Sequence, residues 1–479
     1  MFSEINSSSN IILFFNSFLF WYTFTIILVY LILVGFSILA YFDQYKNRRG
    51  VNFDYILRSP LAPKIGIITS SFNEGVFIVD NIRSLISLKY NNFEIVIVND
   101  GSTDNSLTKM IDAFDLIITD QKPINNLSHV SIKNIYRSRN KAFHNLMVID
   151  KVNSGKSDSL NAGINFTDAD YVVNLDVDCV ITQNSLLKMI EPILREVDSV
   201  TIAIGGIIRI SNNCEIINGR ITKVILSKKW LPLFQTLEYL RNFALGRMAW
   251  GYFNGLYIVS GAFGLFDKKI LIESGGYNKN TVGEDMELLF RMRRLMEYKK
   301  IKYNVQYISD PVCWTEVPDS LNLFIRQRNR WTRGKIETLS IHKKTMLNPR
   351  YGILGLVSYP FLLIFEWLSP IIEFLGLIYV LILIIFGWID WDHFLLIFGL
   401  SYSFSVMVSL YSIFIEEITY RRYKGFKSLF KLIGLAFLEP IFFYPINLIA
   451  SVKGNWDKFI LRKNSWGIQV RRGFDNTNK

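Results

Sequence analysis

The sequence predicts an α/β protein, in which a doubly wound, mostly parallel sheet forms a soluble domain between apolar segments at the two ends of the chain. Two observations support this fold class. From Lys64 onward, short apolar runs alternate with segments of helical spacing, as in parallel sheets whose strands are joined by helical crossovers. The 50% hydrophobic content and the mean hydropathy of +0.24 come from uninterrupted apolar blocks near both ends, while residues 64–344 have a mixed globular composition.

Charge and cysteine content narrow the class of protein further. The 479 residues leave room for two or three domains, and much of the net charge of +12 lies beside the apolar blocks. Such cationic flanks orient membrane spans and contact anionic headgroups, which we favour over nucleic-acid binding. The cysteines Cys179, Cys214 and Cys313 lack metal-ligand spacing, which indicates reduced thiols in a cytosolic domain and neither disulfides nor zinc.

Residues 1–50 are predicted to form an N-terminal transmembrane helix with a basic flank. Ile11 to Phe42 carries no charged residue and is too long for the apolar region of a cleaved signal peptide. Lys46, Arg48 and Arg49 follow this block directly. By the positive-inside rule, the N-terminus then lies outside and the following domain, residues 51–317, faces the cytoplasm.

The strands and helices of this domain follow in order. Strands are predicted at Ile65–Thr69, Phe93–Val98, Leu146–Ile149, Tyr171–Leu175 and Thr201–Ile208, and helices at Val76–Leu88, Ser157–Asn165 and Trp230–Trp250. Asp115 to Phe143 is polar and irregular, so we interpret it as a surface insertion without chemistry. Tyr257 to Gly264 combines a β run with small residues that allow close approach to a ligand or tight strand packing.

Polar side chains follow directly after several predicted strands. Asn73 and Glu74 come after the first strand, Asp100 after the second, Lys156 after the third, and Asp176 with Asp178 at the end of the fourth. Because ligands bind beyond the carboxyl ends of parallel strands, we expect these residues to share one rim of the sheet.

Asp176 and Asp178 lie one residue apart in an extended segment, so that both side chains point to the same side. Two carboxylates together with phosphate oxygens suit Mg2+ or Mn2+. The alternative interpretation is a turn with two solvated acids. Since the pair is common in proteins, its neighbours on the rim carry the metal interpretation.

Further along the chain, Glu284 and Asp285 open a predicted helix, where carboxylates are also favoured by the helix dipole alone. Residues 318–350 form a predicted amphipathic segment. In Leu321 to His342, apolar residues interleave with arginines, a pattern typical of a helix on a membrane face and also of an ordinary surface helix. The pattern alone leaves both open.

Residues 351–452 form a predicted C-terminal membrane region, and residues 453–479 a basic cytosolic tail. The apolar blocks are Tyr351–Phe365, Ile371–Ile389, Phe394–Ile415 and Leu432–Val452. The loop 388–393 is acidic and belongs outside, whereas residues 421–431 and the tail are basic and belong inside. If all four blocks crossed the membrane, a basic loop would lie outside, against this charge pattern. The first and last blocks, which contain prolines and glutamates, are therefore predicted to be interfacial or re-entrant. Four complete spans are the alternative.

Several short motifs occur in one order along the chain. They are Ser71-Phe72-Asn73-Glu74, Val98-Asn99-Asp100-Gly101-Ser102, Gly155-Lys156-Ser157 with Leu160-Asn161-Ala162-Gly163, Asp176-Val177-Asp178, Gly283-Glu284-Asp285 and Gln327-Arg328-Asn329-Arg330-Trp331. Together with the membrane segments, they resemble the processive, membrane-embedded family 2 glycosyltransferases, the group of cellulose, hyaluronan, chitin and poly-N-acetylglucosamine synthases. The resemblance covers about Lys64 to Gly334 and implies a GT-A-like fold.

The resemblance also implies roles for individual residues. Asp100 would contact the nucleoside, with Asn73 and Glu74 in the loop beside it. Lys156 would lie near the diphosphate, and Asp176 and Asp178 would bind the donor through Mg2+ or Mn2+. Asp285 would be the general base that deprotonates the acceptor hydroxyl. Glu284, Gln327, Arg330 and Trp331 would serve the acceptor and the pyrophosphate, which places the basic helix at the membrane face.

The implied activity is inverting transfer from a UDP-sugar to a glycan acceptor, giving a β-linked polysaccharide at the cell membrane. The implied partners are membrane lipids and possible accessory export or regulatory subunits. Transfer of one sugar to a lipid acceptor is the alternative, since ceramide glucosyltransferases share these motifs. A silent glycan-binding scaffold would have no physical reason to keep acids clustered at a buried rim. The chain departs from many relatives at Gly283, where they have Thr, at Glu287, and in showing a single N-terminal span.

Overall fold

The structure, a computed structural model, describes residues 2–48, 51–217 and 219–462. Its strands are β1 (Ile65–Ser71), β2 (Phe93–Asn99), β3 (Leu116–Ile118), β4 (Ile132–Ser138), β5 (Leu146–Lys151), β6 (Tyr171–Leu175), β7 (Val180–Ile181), β8 (Val200–Ile210), β9 (Glu215–Ile217), β10 (Arg220–Lys223), β11 (Phe263–Asp267) and β12 (Tyr303–Thr315). The α/β class and the five predicted strands are confirmed. Arg49 and the tail from residue 463, both predicted to be cytosolic, lie outside the described residues.

The helices of the soluble part are α2 (Phe53–Arg58), α3 (Ile78–Ile86), α4 (Ser106–Phe114), α5 (Lys156–Asn165), α6 (Ser185–Arg195), α7 (Trp230–Arg241), α8 (Met248–Tyr252), α9 (Lys268–Glu273), α10 (Glu284–Lys299) and α11 (Leu321–Ile341). A π-helical turn, Asn242–Arg247, joins α7 to α8. The predicted helix Trp230–Trp250 is therefore present, with one wide turn inside it.

The main sheet has ten strands in the described part of the chain, in the order β3-β4-β5-β2-β1-β6-β11-β8-β12-β7. Its centre, β5-β2-β1-β6, is parallel. These strands are apolar and buried along most of their length, as expected of parallel strands covered by helices on both faces. β11 then pairs antiparallel with both β6 and β8, so the sheet is mixed beyond its parallel centre.

The prediction of an irregular insertion at Asp115–Phe143 is wrong. This segment contains β3 and β4, which pair with each other, and β4 also pairs antiparallel with β5 and extends the sheet. β3 has three residues, too few to show a period, and in β4 only Ile135 and Tyr136 are buried. Two adjacent buried residues among polar ones do not give the alternation by which a strand is recognised.

Two further strand assignments differ from the prediction. β12, which pairs with β8 over ten residue pairs, was not predicted, because Pro311 in its middle argues against a strand, and the pairing register shifts there. The predicted β run Tyr257–Gly264 is wrong for its first part, since β11 begins only at Phe263. The preceding small residues form a loop that leads into β11, which lies between β6 and β8.

The apolar ends of the chain are mostly helical. Their helices are α1 (Phe2–Arg48), α12 (Tyr359–Phe361), α13 (Ser369–Ile385), α14 (Trp391–Thr419), α15 (Phe426–Leu438) and α16 (Tyr444–Phe459), with π-helical turns at Leu354–Ser358, Leu362–Leu368 and Glu439–Phe443. Within the described residues, four helical stretches are long and apolar enough to cross a membrane, by length and composition: Ile12–Asn47, Leu354–Ile385, Trp391–Thr419 and Phe426–Phe459. The chain therefore has the segments of a membrane protein.

The separation of Tyr351–Phe365 from Ile371–Ile389 is wrong, because both belong to one helical stretch, Leu354–Ile385. π-helical turns and the first turn of α13 accommodate the prolines that suggested a break, so the helix continues past them. Tyr351–Phe365, one of the two blocks whose crossing conflicted with the charge pattern, is therefore not a separate segment.

The stretch Phe426–Phe459 contacts the soluble domain near its start, in its middle and near its end. Near its start, Lys431 Nζ donates to the Ser227 carbonyl (3.4 Å), and in its middle the Phe443 ring stacks on Phe234 (5.5 Å between centroids). Near its end, Lys458 Nζ lies 2.6 Å from Glu337 Oε1 in α11. A helix whose two ends both reach the same domain lies along that domain.

Candidate active site

One cavity of about 1610 Å³ collects every residue that the sequence predicts for the site. It is lined by Asn73, Glu74, Asp100, Lys156, Asp176, Asp178, Glu284, Asp285, Gln327, Arg330 and Trp331. The rim expected at the carboxyl ends of β1, β2, β5 and β6 forms one side of it. The helices α10 and α11 form the other side, so residues far apart in sequence meet across a single volume.

Asp176 and Asp178 follow β6, which lies between β1 and β11 at the middle of the sheet. The backbone beside Asp178 is fixed by Asn81 of α3, whose side-chain amide donates to the carbonyls of Val177 (2.8 Å) and Cys179 (3.0 Å). Asp178 is buried, whereas the Asp176 side chain is 26% exposed toward the cavity. The two carboxylates are therefore rigidly placed at the end of a central strand.

This pair of carboxylates fits a divalent cation that also binds phosphate. Among the residues that the structure describes, no group of three or more His, Cys, Asp or Glu side chains could enclose a metal by itself. Two hard oxygen ligands beside an open cavity suit Mg2+ or Mn2+, which commonly takes one or two carboxylates and completes its shell with phosphate and water. The donor set thus matches a metal that binds together with a diphosphate.

Lys156 begins α5 and points across the rim. Its Nζ lies 2.6 Å from Asp176 Oδ1 and 3.7 Å from Glu284 Oε1, and it donates to the Gly261 carbonyl (3.0 Å). Burial lowers the pKa of Lys156, but the charges of Asp176 and Glu284 outweigh it and raise this pKa above its usual value. Lys156 is therefore a fixed positive charge at the centre of the cavity.

Asp100 is buried and its carboxylate is largely used by the protein. Oδ1 accepts from Lys151 Nζ (2.7 Å) and from the Ser154 amide (3.0 Å), and Oδ2 accepts from the Gly155 amide (2.8 Å). A carboxylate has about four acceptor positions, so one remains toward the cavity. Asp100 thereby orders the loop that leads into Lys156.

Asn73 shapes the neighbouring loop. It has a positive φ of 55°, a conformation that asparagine tolerates better than most residues. Its side-chain oxygen accepts from the amides of Thr103 (2.8 Å) and Asp104 (3.3 Å) and so connects the loop after β1 to the loop after β2. The Glu74 amide donates to Ser106 Oγ (3.0 Å), which fixes the same junction.

Glu284 and Asp285 stand at the N-terminus of α10, on the wall opposite β6. Asp285 Oδ2 accepts from the Gly261 amide (2.8 Å), and Oδ1 accepts from the Met286 amide (2.8 Å). A Cβ at Gly261 would lie 3.0 Å from Asp285 Oδ2, so glycine leaves room for this close approach. The small residues noted in the sequence thus accommodate a carboxylate of the protein.

Glu284 is buried, and burial raises its pKa from 4.5 to about 7, an effect that Lys156 opposes and Asp285 reinforces. The unfolded chain then releases this proton at lower pH than the folded chain does. Folding stability contributed by neutral Glu284 is present below pH 4.5 and is lost as the pH rises from about 4.5 to about 7.

Replacing Glu284 by glutamine should remove this pH dependence. We expect the Tm of the Glu284→Gln variant to gain on that of the wild type as the pH rises from about 4.5 to about 7, by at least about 2 °C. Thermal unfolding of both purified proteins across this range measures the difference. Parallel Tm curves at every pH would show that Glu284 does not titrate there.

The turn before α10 is held by α11. Glu337 Oε2 accepts from Thr281 Oγ1 (2.8 Å) and from the Val282 amide (2.8 Å). Gly283 and Gly334 meet backbone to backbone, so that a Cβ at Gly334 would lie 2.9 Å from Gly283 Cα. Gly283 therefore lies where α11 approaches this turn most closely.

A side chain at position 334 should displace this turn together with Glu284 and Asp285. We expect Gly334→Ala to lower turnover at least about tenfold and to cost about 1–3 kcal/mol of stability, because backbone must move to relieve the contact. Gly434→Ala in α15, where a Cβ meets nothing within 4 Å, is the matched control. Equal turnover in both variants would contradict the expected displacement.

The motif residues of α11 line the cavity beside the membrane helices. The Gln327 side-chain oxygen is buried and has no hydrogen-bond partner among the described residues. Trp331 is 39% exposed, and the Arg328 guanidinium lies 4.0 Å from the centre of its ring. Arg328 Nη2 in turn lies 2.5 Å from Glu238 Oε2 of α7, which fixes the tryptophan through a chain of charged contacts.

Sequence reasoning missed several charged residues of the cavity wall. Glu238 and Arg241 in α7 and Arg247 in the following turn all line it. Arg241 also lies 2.8 Å from Glu439 in the C-terminal membrane region. The available signal was the presence of charges three residues apart in an otherwise apolar, aromatic helix, where buried charges indicate paired or functional groups.

Family models and curated proteins match parts of this chain. The family model described as glycosyl transferase family 2 matches residues 66–272, and that of glycosyl transferase family group 2 matches residues 171–408. The poly-beta-1,6-N-acetyl-D-glucosamine synthase of Staphylococcus epidermidis is 27% identical over 275 residues, 57% of this chain and 55% of that protein. The Staphylococcus aureus protein of the same name is 26% identical over 309 residues, 64% of this chain and 62% of that one.

The chain thus spans less than two thirds of the length of these curated relatives. Among solved structures, a mannosyltransferase from Pyrobaculum calidifontis in complex with GDP-Man and Mn2+ aligns with a TM-score of 0.47 and 14% identity, over 90% of this chain and 99% of that one. Glucosyl-3-phosphoglycerate synthase from Mycobacterium tuberculosis, in complex with Mn2+, UDP and phosphoglyceric acid, aligns with a TM-score of 0.36 and 14% identity, over 64% and 84%.

Proposed function

Because the chain belongs to glycosyl transferase family 2, we propose that it transfers a sugar from a UDP-sugar to an acceptor hydroxyl with inversion and builds a β-linked polysaccharide at the membrane. The observation that carries this proposal is the single cavity that joins the acids of the sheet rim to the membrane helices. An enzyme that keeps its product while extending it needs both the donor site and the exit path in one volume.

At the donor end, we assign the nucleoside to the loops of Asn73, Glu74 and Asp100. The remaining acceptor position of Asp100 suits a donor group of the nucleoside, and Asn73 keeps the two loops together. Lys156 would place its ammonium on the diphosphate as a compact positive charge. Asp176 and Asp178 would hold Mg2+ or Mn2+, which supplies charge stabilisation for the leaving diphosphate.

At the acceptor end, Asp285 would accept the proton of the attacking hydroxyl, because its carboxylate lines the same cavity as the donor acids. The amides of Gly261 and Met286 hold the Asp285 carboxylate in one orientation and leave some of its lone pairs available. Trp331 offers an apolar face for the acceptor sugar, and the unpaired oxygen of Gln327 suits one of its hydroxyls. Glu284 and Arg330 would complete the contacts to acceptor and pyrophosphate.

Beyond the acceptor position, the same cavity reaches residues of two membrane helices, α1 and α13, and of α16. Tyr30 of α1, Ser369 of α13 and Tyr444 with Asn447 of α16 line it. Polar side chains in apolar helices are costly unless they serve a path or a partner. This arrangement supports passage of a hydroxyl-rich chain from the acceptor site toward the membrane, as a processive enzyme requires.

For the topology, we propose that α1 brings the chain to the cytoplasm, α13 leaves it and α14 returns, with α15 and α16 lying along the cytoplasmic face. The acidic loop 388–393 then lies outside, and the basic loop 421–425 lies inside, as the charge rule requires. The contacts of Lys431, Phe443 and Lys458 with the soluble domain support the interfacial position of the last stretch.

The donor is best tested by the release of UDP from a panel of UDP-sugars with the purified full chain, with and without Mn2+ or Mg2+. UDP-N-acetylglucosamine is the first candidate, because the relatives reported above are named for a polymer of N-acetylglucosamine. We expect metal-dependent release with one donor of the panel. No release with any donor would refute the proposed transferase.

Product length separates the two modes of transfer. A processive enzyme gives a ladder or a long polymer on a gel, whereas transfer of one sugar to a lipid gives a single shifted band. We expect the polymer.

Accessory export or regulatory subunits stay a prediction, to be tested by comparing the purified chain with native membranes.

A further inference from the structure

We propose that Lys156 competes with the divalent cation for Asp176, so that the cation binds tightly only when the diphosphate of the donor draws Lys156 away. The inference rests on the proposed function, since it assumes that Asp176 and Asp178 hold the cation. It assigns to Lys156 a second role besides binding phosphate, namely to make metal binding depend on the donor.

The first step is the geometry around Asp176. Its Oδ1 is 2.6 Å from Lys156 Nζ, a charge-assisted contact at full strength. A cation bound to the same oxygen would stand within a few ångström of the ammonium. Two positive charges this close together repel each other strongly near a protein surface, so both cannot use Asp176 at low cost.

The second step is that Lys156 keeps its charge and has little freedom to leave by itself. Its ammonium lies against two carboxylates, 2.6 Å from Asp176 Oδ1 and 3.7 Å from Glu284 Oε1. Its side chain is 17% exposed, and its Nζ is also bound by the Gly261 carbonyl (3.0 Å). Moving the ammonium away from Asp176 therefore needs another anion that can replace this contact.

The third step is that a diphosphate supplies that anion. The lysine side chain has a flexible four-carbon stem. Its ammonium can therefore turn from Asp176 toward phosphate oxygens in the cavity while the Lys156 backbone stays at the start of α5. Asp176 Oδ1 then becomes available to the cation, which also binds the diphosphate. Cation and donor would thus enter together, and the cation would not occupy the carboxylates between turnovers.

The test is titration calorimetry of Mn2+ into the purified full chain, with and without UDP. For the wild type, we expect weak binding of Mn2+ alone and at least about tenfold tighter binding in the presence of UDP. Lys156→Met should bind Mn2+ alone at least about tenfold more tightly than the wild type does. UDP should then tighten its Mn2+ binding by a smaller factor than in the wild type, because only the attraction between cation and diphosphate remains. Lys156→Arg, which keeps the charge, should bind Mn2+ alone as weakly as the wild type.

Lys279→Met is the matched control, because it removes an ammonium that lies 2.9 Å from a different carboxylate, that of Asp158. It should leave the affinity for Mn2+ unchanged. Mn2+ affinity of Lys156→Met equal to or below that of the wild type would overturn the competition while leaving the transferase proposal intact. Absence of Mn2+ binding in every protein, even with UDP, would instead overturn the metal assignment on which both depend.

Discussion

We expect Asp285→Asn to lower turnover by roughly 10²–10⁴-fold, the usual contribution of a general base, and to leave UDP-sugar binding largely intact. Asparagine keeps the shape of the side chain, and its oxygen can still accept from the Gly261 amide as Asp285 does now. It has no basic oxygen that could take the proton from an acceptor hydroxyl. The variant therefore separates the proton transfer from the packing of the site.

Release of UDP measures turnover of this variant, and calorimetric titration with UDP measures whether the donor end of the cavity is preserved. Asp112→Asn is a suitable control, because Asp112 is an exposed acid of α4 that does not line the cavity. Normal turnover of purified Asp285→Asn would refute the assignment of the base. A parallel loss of UDP binding would show that Asp285 organises the donor site instead.

The parallel centre of the sheet and the composition of the cavity could be predicted because both follow from local patterns. Apolar runs such as Ile65–Thr69 and Tyr171–Leu175 have the length of buried strands, and the residues after them carry the polar groups. Once the strands are parallel, their carboxyl ends meet at one edge. The convergence of Asp100, Lys156 and Asp176 follows from this geometry and not from any contact visible in the sequence.

The parts that could not be predicted depend on contacts between distant segments. β12 contains a proline and becomes a strand because β8 offers it a long parallel partner. The charges of Glu238 and Arg241 are tolerated in α7 because Arg328 and Glu439 meet them from the C-terminal half of the chain. Tertiary partners decide these cases, and a local pattern does not contain them.

The same limit applies to the roles of single residues in the site. The sequence indicates that Lys156 and Asp176 share a rim, but only the structure shows their charges in direct contact. It also shows that Gly261 and Gly334 serve close backbone approach to Asp285 and to Gly283. A Cβ at Gly261 would lie 3.0 Å from Asp285 Oδ2, and a Cβ at Gly334 would lie 2.9 Å from Gly283 Cα. These short distances depend on how α10 and α11 pack against the rest of the domain.

Replacing Asp178 by alanine should abolish the metal-dependent part of donor binding. Loss of groups that merely support a metal ligand commonly costs 10–100-fold in affinity, so loss of a ligand itself should weaken binding in the presence of Mn2+ by more than roughly 100-fold. Binding of UDP without metal should change little, because Lys156 and the loops of Asn73 and Asp100 stay in place. Calorimetric titration with UDP, with and without Mn2+, measures both quantities.

Because Asp178 is buried, the loss could also arise from altered packing, and a neighbouring variant tests this. Cys179→Ala removes an equally buried side chain, whose Sγ lies 3.7 Å from Asp178 Oδ1, and keeps both carboxylates. We expect this control to retain the effect of Mn2+ on UDP binding. If Asp178→Ala also retains it, Asp178 is no metal ligand and Asp176 alone would have to bind the cation. If both variants lose it, the packing around the end of β6 is what the cation requires.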